Sequence, residues 1–123
     1  MRILSGKKLL FDKVRVCDSF LSKGLGLMFR RKPLEKGECL LFVFDRELPP
    51  ALLGIHMNFC LFPIKVAWLD SDRRVVDCQI AEPASFLKPA TLKLHKPRKP
   101  AKYIIECSPG VRLASGQRLS FRN

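Results

Sequence analysis

The run from Gly54 to Asp70 (Gly-Ile-His-Met-Asn-Phe-Cys-Leu-Phe-Pro-Ile-Lys-Val-Ala-Trp-Leu-Asp) constrains the fold more than any other stretch of the chain. It is a long, strongly apolar segment that carries the only tryptophan, one of the two histidines and a mid-run proline. Read with period two, Ile55, Met57, Phe59 and Leu61 face one way, and His56, Asn58 and Cys60 the other. That pattern predicts a strand with one face in the core and a mixed, partly polar face turned elsewhere. Pro63 cannot donate to a sheet ladder and predicts a break or an edge.

The flanking segments read in the same way. Lys7 to Phe11 and Lys13 to Cys17 predict two short strands around a turn at Asp12. Asp18 or Ser19 is suited to cap a short helix whose apolar face carries Phe20, Leu21, Leu25 and Met28, ending before Pro33 with Arg30, Arg31 and Lys32 in its last turn. Cys39 to Phe44 predicts a strand, followed by a loop through Pro50. Lys65 to Leu69 and Arg74 to Ala81 predict a hairpin across Asp70-Ser71-Asp72-Arg73. Tyr103 to Cys107 predicts the last strong strand, Val111 to Ser115 a helical turn and Arg118 to Phe121 a closing strand. Many short strands and one short helix make the expected class mainly β, a single-domain β-sandwich or barrel-like fold over residues 1–123.

Composition narrows the class further. Among 123 residues, 47% are hydrophobic and 28% charged, which suits a folded globular chain. No stretch approaches the roughly 18 consecutive apolar residues of a membrane helix. The N-terminus turns basic at Lys7-Lys8, where a signal peptide would need its apolar core, so a cytoplasmic protein is the expectation. Five widely separated cysteines with no Cys-x-x-Cys predict reduced thiols, most of them small buried hydrophobes. A formal charge of +12 favours anionic partners.

Several motifs together resemble a known family. Gly26-Leu27-Met28-Phe29-Arg30, Leu41-Phe42-Val43-Phe44, His56-Met57 with Pro63 and Asp70, and Ala101-Lys102-Tyr103-Ile104-Ile105-Glu106 with Gly110 follow one another at characteristic spacing. In that order they resemble the Domain of Unknown Function 192 family over residues 13–121, a prokaryotic group. The resemblance implies a mainly β, sandwich-like domain without an assigned reaction. It also exposes departures: His56 stands where the family has Trp, Phe59-Cys60 where it has Asn-Thr, and Lys65 where it has Asp. Exchanging a carboxylate for an amine reverses the local charge and argues against a metal there.

The chemistry legible in the residues is sparse. His56 and Cys60 on one strand would stand about 13 Å apart, too far to share an ion. Asp70-Ser71-Asp72 lacks the rest of a calcium loop. Neither a Gly-x-Ser-x-Gly elbow nor a phosphate loop occurs, and no metal or cofactor is expected. Glu106, in an apolar strand, needs a partner if it faces inward, and Arg30 is the natural one. The preferred expectation is a binding domain with a cleft formed by Met28, Arg30, His56, Met57, Asn58 and Glu106, taking a small anionic ligand drawn by Arg30 and Lys65. Two alternatives stand beside it. One is a nucleic-acid-associated protein using the basic arm from Lys88 to Lys102, chiefly Lys93, Lys96, Arg98, Lys99 and Lys102. The other is an enzyme built on His56 and Glu106, which the thin acid–base inventory disfavours.

Overall fold

The computed structural model describes residues 1–18, 32–57, 60–85, 87–89 and 94–123. Eight strands run in chain order: β1 (Arg2–Ser5), β2 (Lys8–Phe11), β3 (Lys13–Cys17), β4 (Glu38–Leu48), β5 (Ile64–Leu69), β6 (Val75–Ala81), β7 (Ala101–Cys107) and β8 (Ser120–Arg122). They form a three-stranded sheet, β2-β1-β8, and a five-stranded sheet, β3-β4-β7-β5-β6. The chain is mainly β, as expected. Both sheets are open, so the barrel alternative gives way to the sandwich. The expected helix over residues 19–32 falls almost wholly outside the described residues.

The strands around Asp12 are not a hairpin. Lys8–Phe11 pairs with β1 in the small sheet, whereas Lys13–Cys17 joins the large one beside β4. Asp12 is the corner between them, and the N–H groups of Asp12 and Lys13 both donate to the Gly37 carbonyl at 3.0 Å. Gly37 has φ +88°, a left-handed backbone that favours glycine; a Cβ there would stand 2.8 Å from the Asp12 Oδ1, the end of an exposed side chain that can turn aside. β3 and β4 are parallel, with Lys13 opposite Glu38, which obliges the chain between them to cross from one end of the sheet to the other.

Both faces of the large sheet are covered. One face carries Leu40, Phe42, Val66, Trp68 and Ile104 in one core cluster; the other carries Leu41, Ala67, Leu69 and Ile105, packed with Ile3, Phe11 and Leu119 from the small-sheet side. Double coverage explains why β4, β5 and β7 read as continuous apolar runs rather than alternating ones. The β5–β6 hairpin forms as expected. Asp70 Oδ1 accepts the N–H groups of Asp72 at 2.9 Å and Arg74 at 3.0 Å, while Arg73 takes φ 64°.

Three expectations are corrected. Among its described residues the segment from Ile55 to Leu61 forms no strand, and Ile55 makes only an isolated bridge to His95. β5 has β6 on one edge and β7 on the other, so the chain before it cannot pair with β5 itself. It passes instead across the sheet face after a 3-10 turn at Pro50–Leu52. Leu53, Met57, Cys60 and Phe62 are buried while Leu61 is 63% exposed, a spacing with no period of two. Single contacts fix this cover: the Trp68 indole N–H donates to the Leu53 carbonyl at 3.1 Å, and Ile55 and His95 exchange backbone hydrogen bonds at 2.9 and 2.8 Å. Second, residues 111–115 form no helical turn; they wind irregularly, with the Leu113 N–H donating to the Val111 carbonyl. Third, β4 continues to Leu48, past the expected end at Phe44, with an irregularity between Val43 and Leu48.

Trp68 therefore joins sheet and cover through both packing and a hydrogen bond. Trp68→Phe should destabilise the fold by on the order of 2 kcal/mol, through a partly filled cavity and an orphaned Leu53 carbonyl. Urea unfolding followed by circular dichroism checks it; an unchanged midpoint would show that the cover is not held there.

Candidate functional site

Glu106 lies on β7, the middle strand of the large sheet, and is only 5% exposed. Register places it between Leu40 of β4 and Val66 of β5, on the face that also carries Ile104 and Trp68. The same cross-strand row continues to Arg15 on one side and Gln79 on the other. Among the described residues no Lys, Arg or His is placed in an ion pair with it. Burial pushes its carboxyl up from 4.5 to about 7, so near neutral pH a large share of the molecules carries a protonated acid. Such a group can donate a hydrogen bond, which a carboxylate cannot.

Three thiols, Cys17, Cys60 and Cys107, sense this carboxyl. Cys17, at the end of β3, and Cys60, in the cover, are both raised chiefly by burial and further by the charge of Glu106. Cys60 Sγ donates to the Phe62 carbonyl at 3.4 Å. On the opposite face Cys39 and Cys107 are cross-strand neighbours; burial pushes Cys107 up to about 12 and Cys39 higher still. Cys78 is raised by burial as well. All five cysteines are free, and all are held as thiols rather than nucleophilic thiolates.

Of the residues that the sequence grouped, His56, Met57, Lys65 and Glu106 are described. Met57 is buried in the cluster on the Glu106 face. His56 beside it is exposed, facing away from the core that Met57 enters. Lys65 stands opposite Cys107, on the reverse face from Glu106, and its ammonium donates to the Val111 carbonyl. Met28, Arg30 and Asn58 lie outside the described residues, and with them the expected Arg30–Glu106 pair. Among the described residues no group of three or more His, Cys, Asp or Glu is placed to hold a metal ion.

The basic arm is tied down rather than extended. Asp77 on β6, 4% exposed, accepts the Arg98 N–H at 3.1 Å and pairs with its guanidinium at 3.5 Å. Gln79 donates to the Lys96 carbonyl at 2.7 Å. Pro97 is buried between them, while the side chains of Lys96, Arg98 and Lys99 face solvent. Lys102 lies within β7, its ammonium 5.6 Å from the Tyr103 ring centre. Lys93 lies outside the described residues. Sequence reading missed Asp77 as the anchor, because its partners are 21 residues away and nothing local marks it.

Two open β-sheets packed face to face, with a buried acid on the middle strand, define a mainly β sandwich protein. A family model for DUF192, described as Uncharacterized ACR, matches residues 2–121, and the chain belongs to that family. It is 39% identical over 99 residues to a UPF0127 protein of Thermococcus kodakarensis, covering 80% of this chain but 55% of that protein. The chain thus spans about half the length of that relative. A UPF0127 protein of Pyrococcus furiosus is 32% identical over 111 residues, covering 90% of this chain and 84% of its own. A solved structure of a protein of unknown function from Novosphingobium aromaticivorans shares the fold, with TM-score 0.77, 17% identity, and coverage of 98% of this chain and 82% of that one. Another, from Sinorhizobium meliloti, superposes with TM-score 0.74 at 22% identity, covering 97% and 89%.

Glu106 makes stability depend on pH with a definite sign. Between 4.5 and about 7 the unfolded chain has lost this proton while the folded chain keeps it, so stability falls as pH rises through that window and levels off above it. The full cost is on the order of 3 kcal/mol. Glu106→Gln should flatten this slope and be the more stable protein above pH 7, as measured by urea unfolding at several pH values. A variant that is less stable than the parent at pH 8 would mean that the carboxylate is compensated in the fold.

Proposed function

We propose that this chain is a binding domain rather than a catalyst, and that it receives a small anionic ligand on the face of the large sheet that carries Glu106 and Met57. The observation that supports the reading is the carboxyl of Glu106, buried between Leu40 and Val66 where an apolar residue would be more stable. A group that costs stability at its position is characteristic of a functional site. The exposed His56 and five protonated thiols leave the described residues without an activated nucleophile, which favours binding over catalysis. Met57 adds a polarisable apolar surface that adapts to a ligand's shape. The formal charge of +12 draws anions to the protein.

Protonation sets the affinity in this reading. Neutral Glu106 donates a hydrogen bond to an anionic acceptor, whereas the ionised form repels it. The other titratable groups toward that face are the thiols of Cys17 and Cys60, both uncharged, Arg15, exposed and two strands away, and Asp77 opposite Trp68, whose charge is paired with the Arg98 guanidinium. With the Glu106 carboxyl at about 7, affinity should be about tenfold weaker at pH 8 than at pH 6.

Thermal unfolding against small mono- and dicarboxylates, at pH 6 and pH 8, tests the proposal. A compound of the right class should raise the melting temperature at pH 6 by mass action, and less at pH 8. Glu106→Ala should lose the shift, and Glu106→Gln should keep it at both pH values, since the amide always donates. A shift that is the same in all three proteins and at both pH values would place the ligand elsewhere.

A further inference from the structure

A second feature, on the opposite side of the large sheet from Glu106, is independent of that reading. A depression of about 260 Å³ opens where the edge strand β2, the turn before β4 and the loop after β7 meet; its wall includes Lys8, Leu9, Lys36, Ser108, Val111 and Arg112. Three cationic side chains from three separate segments thus line one concavity, and no carboxylate lines it. A lysine on an edge strand such as β2 is ordinary protection against pairing with another chain. Convergence with Lys36 and Arg112 is not explained that way.

The nearest acids in sequence are engaged elsewhere. Glu35 pairs with Lys13 at 3.6 Å, and Glu38 accepts the Glu35 N–H at 3.0 Å. Among the described residues no carboxylate is placed to pair with Lys8, Lys36 or Arg112. The wall itself is braced. The Val111 carbonyl accepts both the Leu113 N–H and the ammonium of Lys65, while the Val111 N–H closes a turn onto the Ser108 carbonyl at 3.2 Å. Lys65, which stands where the family resemblance expects a carboxylate, therefore adds a fourth positive charge directly behind the depression.

From this geometry we infer that the depression is a binding site for a small phosphomonoester. A guanidinium and two ammonium groups match a phosphate dianion better than a single carboxylate, because its double charge and three terminal oxygens can engage three cations that approach from different sides. Leu9, Leu10 and Val111 supply an apolar side for the organic body, and Ser108 adds a hydroxyl. The volume lies just below the roughly 300–1,000 Å³ of clefts for drug-sized ligands, so the body is compact, on the scale of a phosphorylated sugar.

Calorimetric titration of the full chain with ribose 5-phosphate, ribose and inorganic phosphate tests the assignment. Saturable binding of ribose 5-phosphate is expected, tighter than inorganic phosphate, with ribose silent and affinity falling as salt is added. Arg112→Glu and Lys36→Glu, both at exposed positions, should each weaken it by roughly tenfold or more. Because Lys36 and Arg112 line the depression and Glu106 does not, loss of binding in these two variants separates this site from the Glu106 face, and Lys99→Glu, a charge reversal at an exposed position outside the depression, should leave it unchanged. Absence of saturable binding, or binding that survives both charge reversals, would overturn the site. Equal affinity for inorganic phosphate and the ester would overturn the assignment of an organic body to the apolar wall.

Discussion

Strand β7 is paired along both edges, to β4 and to β5, and covered on both faces, and most of the structure follows from that position. From Tyr103 to Cys107 such a strand is almost wholly shielded from bulk water, so each side chain there must be apolar or bear the cost of burial, while Lys102 near its start is only half-buried. Tyr103, Ile104, Ile105 and Cys107 meet the first condition. Glu106 does not, and its burial is the main electrostatic tension in the described structure. Both the neighbouring thiols and the protonation of the carboxyl itself respond to it.

Asp77 shows the contrast. It is as buried as Glu106, but it accepts from the Cys78 N–H, the Gln79 amide and the Arg98 N–H, and it pairs with the Arg98 guanidinium. Those bonds replace the water it has lost, and the group becomes a staple that holds the basic arm against β6. Two acids of similar burial thus take different roles according to what their oxygens meet. One fixes the architecture. The other bears the cost of its burial, which raises its carboxyl to about 7.

The two sides of the large sheet differ in the same physical sense. On the Glu106 side an irregular cover crosses the sheet, fastened by the Trp68 indole and a single bridge between Ile55 and His95. On the other side the small sheet packs by apolar contact, and cations collect where its edge strand meets the loop after β7. Lys65 belongs to that second side. Its substitution for a carboxylate, relative to the family pattern, strengthens a positive region instead of altering the Glu106 face.

The strands of the large sheet were legible in the sequence because each has an apolar stretch, aliphatic, aromatic or β-branched, bounded by turn residues, and the hairpin at Asp70 because its side chain bonds the backbone within four residues. Order along the chain also carried the family resemblance, since motif spacing needs no knowledge of contacts. What failed was everything set by partners distant in sequence. The run from Ile55 to Leu61 has a strand's period, yet both edges of β5 were already occupied, so tertiary crowding overrode local preference. The same cause turned Asp12 from a hairpin turn into a corner between sheets and put Lys65 and Glu106 on opposite faces, because register, fixed by pairing, decides facing. The basic depression joins residues of three separate segments, and no local pattern announces it. Sequence by itself determined a mainly β chain with a buried acid in its last strong strand. Only the tertiary structure decided what that acid meets, since neighbours across a sheet are chosen by strand order and not by distance along the chain.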